Sequence, residues 1–104
     1  MKKLTIAIDI DGTWDQDPEL FLAFVTLLTV RGHCAVIVTG AGHPRDKIER
    51  LKIPEDVILV CSKGRLKQDV CSELGIKIDI WIDNEPGTIQ RCKILDTSTG
   101  NEGL

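Results

Sequence analysis

Apolar residues in this chain fall into short blocks whose period changes from one block to the next, and turn-forming residues separate them. Residues 4–11 alternate polar and apolar side chains and then meet Gly12, the pattern of a strand running into a tight turn. Asp17-Pro18-Glu19 supplies an N-cap, a proline at the first helical position and an acidic first turn, so a helix is predicted from there to Arg31-Gly32. Residues 34–39, Cys-Ala-Val-Ile-Val-Thr, are nearly continuously apolar and close on Gly40-Ala41-Gly42, as expected of a strand covered on both faces. Pro44 opens a short helix to Leu51, and residues 57–61 form a third buried strand. Ser62 is placed to cap a helix over residues 64–74 that stops at Gly75. Residues 76–83 alternate again as a fourth strand, Pro86 starts another short helix, residues 93–95 form a brief fifth strand, and residues 96–104 make a loose polar tail.

Strands alternating with helices predict an α/β, three-layer Rossmann-like domain with a mostly parallel central sheet of about five strands and right-handed crossovers. At 104 residues the chain is one domain, spanning 1–104, because two separate cores would each be marginally small. The first helix is apolar on nearly every side, since Leu20, Phe21, Leu22, Phe24, Val25, Leu27, Leu28 and Val30 cannot share one stripe. It is therefore either wholly covered or engaged in a subunit contact, a homo-oligomer built through this helix.

Charge and composition narrow the partners. Against 16 Asp and Glu stand 13 Lys and Arg, a formal charge of -3, so no broad basic surface supports nucleic-acid binding, although a nucleic-acid substrate is not excluded. The longest nearly apolar stretch, residues 20–30, falls well short of the roughly 20 residues of a membrane helix, so no membrane partner is expected. Met1-Lys2-Lys3 leads straight into the first strand pattern without a signal-peptide apolar region, and a cytoplasmic protein is expected. Cys34, Cys61, Cys71 and Cys92 form no C-x-x-C pair, which speaks against structural zinc, and the cysteines in apolar runs read as buried free thiols.

In parallel sheets ligands bind beyond the carboxyl ends of the strands. Those ends carry Asp9, Asp11 and Thr13 after the first strand, Thr39 after the second, and Asp83, Asn84 and Glu85 after the fourth. Asp9 and Asp11 are two residues apart, so strand geometry points both carboxylates to one side, and Asp83 converges on them. Three carboxylates in a partly buried cleft raise one another's pKa or demand a cation, and Mg²⁺ suits carboxylates plus a substrate phosphate. A bland reading stands beside this one, in which Asp11-Gly12 is only a turn pair and Asp9 a local cap.

These residues resemble the motifs of the haloacid dehalogenase-like (HAD) hydrolase superfamily, in its small capless phosphatase type. The first motif, an apolar strand followed by D-x-D-x-T, is matched by Asp9-Ile10-Asp11-Gly12-Thr13; the second, a hydroxyl closing the next strand, by Thr39-Gly40; the fourth, acids after a later strand, by Asp83-Asn84-Glu85. The third is a lysine on the helix before that strand, for which Lys67 is favoured over Lys63. The resemblance covers residues 4–95 and implies a Mg²⁺-dependent phosphatase. By it, Asp9 is the nucleophile that becomes an aspartyl phosphate, Asp11 is the general acid and base and lends its carbonyl to the metal, and Thr13 steadies Asp11. Thr39 and the lysine bind the phosphoryl group, and Asp83 completes a metal set of Asp9, Asp11 and Asp83. Asn84 departs from the second Asp of many relatives and bears on metal affinity.

Gly40, His43, Arg45 and Lys47 lie on the loop after the second strand and are candidate substrate contacts, with solvated surface charges as the plain alternative for Arg45 and Lys47. Trp14 either walls the site or belongs to the core, and His33 reads as a residue near the first helix's negative end. The spacers 14–17 and 61–67 leave no room for a cap domain, which suits a large or exposed phosphate ester: a nucleotide, a sugar phosphate or a macromolecular phosphate. Two other readings stand behind the phosphatase, a catalytically weak metal- or phosphate-binding regulatory module and, last, a receiver-like signalling domain.

Overall fold

The computed structural model describes residues 2–91. Within them lie β1 (Thr5–Ile8), α1 (Pro18–Val30), β2 (Cys34–Thr39), α2 (Arg45–Arg50), β3 (Ile58–Cys61), α3 (Lys67–Glu73) and β4 (Ile80–Ile82). Single 3₁₀ turns at Trp14–Gln16 and Pro86–Thr88 complete the elements. All strand pairs are parallel, in the order β3-β2-β1-β4. The sheet described has four strands where about five were expected; the fifth, at residues 93–95, and the tail at 96–104 lie outside the described residues.

Period-2 alternation in the two central strands divides the core between the faces of the sheet. Ile6, Ile8, Ala35 and Ile37 pack with Val25 and Leu28 of α1, with Ile53, and with the flanking Ile48 and Leu51. On the other side Ala7, Val36, Val38 and Val60 pack with Cys71 and Val70 of α3 and with Ile76, Ile78 and Trp81. Helices thus cover both faces, giving the three layers that the pattern predicts. Trp14 is wholly buried in the first cluster, where its indole stacks on Phe21 with centroids 5.7 Å apart and Nε1 donates to the Leu51 carbonyl at 2.6 Å. That settles it as a core residue.

Four local expectations change. β3 is an edge strand, so Ile58 and Leu59 are exposed although their run reads as fully covered. The helix predicted from residue 64 begins at Lys67, because Lys63 and Gly64 both take positive φ (52° and 81°), a left-handed turn that cannot continue into an α-helix. Leu66, not Ser62, precedes that helix, and Ser62 is instead buried beside the end of β2, where its N–H donates to the Thr39 carbonyl at 2.8 Å. Finally α1 follows its prediction closely, with the Asp17 carboxylate accepting from Leu20 N–H, yet it leaves Leu20, Leu27 and Val30 exposed.

Among the described residues no helix is long and apolar enough to cross a membrane, and Cys34, Cys61 and Cys71 are free thiols. Trp14→Ala removes the largest fully buried side chain together with its hydrogen bond, and should lower unfolding free energy by about 3–5 kcal/mol, read from the midpoint of urea denaturation.

Candidate functional site

The strand order places the reversal of winding at β1, since β2 and β3 extend the sheet to one side and β4 to the other. Such a switch point opens a crevice beyond the carboxyl ends of the adjoining strands. Ile8 is level with Ile82, and the Asp9 N–H donates to the Ile82 carbonyl at 3.0 Å, so Asp9 and Asp83 emerge side by side. A cavity of about 190 Å³ sits there, lined by Asp9, Asp11, Lys67 and Asp83 together with Gly40 and Ala41 of the loop after β2 and Glu85 and Thr88.

Lys67, the first residue of α3, reaches between the two buried acids. Its Nζ donates to Asp9 Oδ1 at 2.9 Å and to Asp83 Oδ2 at 2.6 Å, and the three side chains are only 4%, 7% and 2% exposed respectively. Lys63 stays exposed on the left-handed turn after β3, so Lys67 is the lysine the fold delivers to the acids. Burial drives the Asp9 carboxyl above its ordinary 3.8, and the Asp83 charge adds to that against the pull of Lys67. Burial also works against the Lys67 ammonium, but two facing carboxylates outweigh it and hold the group above its ordinary 10.5. Two acids sharing one ammonium leave this cluster one negative charge in excess.

Asp11 lines the same cavity but bonds to other partners: β1 ends at Ile8 and Gly12 at φ 84° turns the chain behind it. The Asp11 carboxylate is 53% exposed; His43 Nε2 lies 3.2 Å from its Oδ2 and Lys47 Nζ lies 3.3 Å from its Oδ1. His43 is buried at 5% exposure and also lies 3.2 Å from Thr39 Oγ1, whose hydroxyl donates to the Ala41 carbonyl. Arg45 points away, 86% exposed and paired with Glu49 on α2. Gly40 accepts from the Gly64 N–H at 3.1 Å, tying the two loops of the rim together. His33 accepts from the Leu4 N–H through Nδ1, a structural bond remote from the cleft.

Asn84 makes contacts that the sequence pattern did not disclose. With its amide nitrogen toward β1, it donates to the Asp11 backbone oxygen and to Asp9 Oδ2, each at 3.0 Å. Thr13 Oγ1 lies 3.4 Å from the same amide, so Thr13 supports Asn84 where it was expected to steady Asp11. A Cβ on residue 12 would come within 2.3 Å of the end of the Asn84 amide, so Gly12 answers both to its backbone angle and to this close approach. That glycine is the one trace of the contact in the sequence.

Among the described residues no three His, Cys, Asp or Glu side chains converge as a metal-holding group. The oxygen donors that do converge are of mixed kind. Turning the Asn84 amide over brings its oxygen to the point 3.0 Å from Asp9 Oδ2 and from the Asp11 carbonyl. Neighbouring ligands of a six-coordinate Mg²⁺ with bonds of about 2.1 Å stand at a similar spacing, so a carboxylate, a backbone carbonyl and an amide oxygen here fit a hard cation.

Lys67→Met should lose about 3–5 kcal/mol of stability at neutral pH, because two buried carboxylates are left without their ammonium. In the wild type the Lys67 contribution is complete below the ordinary 10.5 and is lost as pH rises through the higher folded value. In the variant the deficit should shrink as pH falls toward the carboxyl range, where the orphaned acids take up protons. Chemical denaturation of both proteins between acid and neutral pH checks this.

No family model, no curated protein and no solved structure matches the chain, so the reading of this site rests on its own residues and geometry.

Proposed function

We propose that the protein is a Mg²⁺-dependent phosphomonoester hydrolase of the HAD type, working through an aspartyl phosphate on Asp9. The observation that carries the reading is the Asp9–Lys67–Asp83 cluster in a cavity at the switch point of a parallel sheet, one positive charge short of balance, with the Asn84 amide against Asp9 Oδ2.

In the first displacement a carboxylate oxygen of Asp9 attacks phosphorus, the bond to the leaving oxygen breaks, and that oxygen takes a proton from Asp11. In the second, water attacks phosphorus, Asp11 takes the water's proton, and the bond to Asp9 breaks to release inorganic phosphate. The Lys67 ammonium keeps Asp9 ionised in its buried setting and faces the phosphoryl oxygens, where fixed positive charge stabilises charge that builds up in transfer. Thr39, buried at the end of β2, donates its hydroxyl to the carbonyl of Ala41, which lines the cavity. Mg²⁺ would be held by Asp9, the Asp11 carbonyl, Asn84 and Asp83, and when bound it supplies the further positive charge that an anionic ester needs on approach. Asp11, exposed at the mouth, is placed to serve the leaving group, and the absence of any inserted domain between β1 and α1 or between β3 and α3 leaves that mouth open to nucleotide, sugar or macromolecular phosphates.

The second reading is a weakly catalytic phosphate- or metal-binding module. It draws on the full engagement of the acids by Lys67, His43 and Lys47 within the chain itself.

Phosphate release from an aryl phosphate and from a panel of nucleotides and sugar phosphates should depend on Mg²⁺, stop on chelation with EDTA, and vanish in Asp9→Asn with the fold retained. Undiminished turnover in that variant would sink the mechanism. Asn84→Ala should weaken Mg²⁺ binding about tenfold by calorimetry, independently of turnover; unchanged affinity would remove Asn84 from the metal's shell.

A further inference from the structure

We infer that His43 is a positioning residue for the proton transfer of Asp11, an inference that rests on the hydrolase reading above. The geometry fixes the roles of the atoms. A carboxyl oxygen that bears no hydrogen only accepts hydrogen bonds, so with the proton of Asp11 assigned to Oδ1 the His43 Nε2 atom 3.2 Å from Oδ2 carries a hydrogen. The same Nε2 lies 3.2 Å from Thr39 Oγ1, whose own hydrogen goes to the Ala41 carbonyl, so the imidazole N–H is shared between Asp11 and the end of β2. His43 thereby ties the half-exposed acid to the end of β2.

The two partners of Asp11 differ in kind. His43 is buried, with a short side chain that packing holds in place, whereas Lys47 is about one-third exposed on a long flexible stem. His43 occupies Oδ2 and leaves Oδ1 as the oxygen that can bear the proton. Lys47 guards Oδ1 at 3.3 Å in the free protein and can swing aside when a leaving oxygen arrives. Asp11 follows the end of β1 by three residues, and among the described residues its carboxylate is held by His43 and Lys47, so without His43 only the flexible Lys47 holds it at the cleft. A displacement of about 1 Å in such a group is enough to impair transfer severely.

Protonation matters most when the leaving oxygen is a strong base, which separates this role from a general structural one. The test is single-turnover release of the leaving alcohol, which reports only formation of the aspartyl phosphate, measured with an aryl phosphate and with an alkyl phosphate. His43→Gln keeps an N–H near the Nε2 position, while His43→Asn is polar but too short to reach Asp11. His43→Asn should slow the alkyl ester about a hundredfold and the aryl ester less than threefold, and His43→Gln should recover most of the alkyl rate, with both folds verified by circular dichroism. Equal losses on both esters, or no loss on either, would overturn the positioning role while leaving the hydrolase reading intact. A wild-type protein that hydrolyses no phosphate ester overturns both.

Discussion

The placement of one ammonium group between two buried carboxylates is the constraint on which the rest of this molecule turns. An unpaired Asp9 or Asp83 in this crevice would be costly, and Lys67 at the start of α3 answers both at once. For that contact to form, α3 must begin at residue 67 and lie across the sheet with its amino end at the carboxyl edge of β1 and β4. The left-handed turn at Lys63 and Gly64 serves this end by delaying the helix, and the bond from Gly64 to Gly40 anchors the turn to the neighbouring loop.

Packing supplies the frame that makes such a pairing tolerable. Alternation in β1 and β2 sends one set of side chains into the cluster beneath α1 and the other into the cluster beneath α3, so both faces of the central strands are sealed. Trp14 closes the first face next to the site, directly behind the turn that carries Asp11 and Thr13. Apolar surface remains on the outside of α1 and on the edge strand β3, where the described residues provide no cover.

Within the site, adjacent residues are given different physical settings. Asp9 is buried and bonded to an ammonium and an amide; Asp11, two positions later, is half exposed and bonded to an imidazole and a flexible lysine. Separate environments give two chemically identical carboxyl groups separate characters, the one buried against an ammonium and the other half exposed at the cavity's edge. Gly12 makes the division by turning the chain between them and by leaving space for Asn84.

Much of this was legible in the chain. Short periods and their punctuation determined the strand and helix order, the helix at Pro18, and the gathering of Asp9, Thr39 and Asp83 at one end of a parallel sheet, because local backbone preference and alternation are encoded residue by residue. Lys67 was also indicated, over Lys63, by the resemblance to the HAD motifs. Other features depend on residues far apart in sequence and come only with tertiary structure: Asn84 against Gly12, His43 against Asp11, and the burial of Ser62. The exposure of Ile58 and Leu59 belongs with these, since a run of apolar residues specifies a strand but not its place in the sheet. The partners of the Asp11 carboxylate were decided in the same way, since His43 and Lys47 are brought to it by the loop and helix that follow β2, a property of the assembled sheet and not of the two-residue spacing.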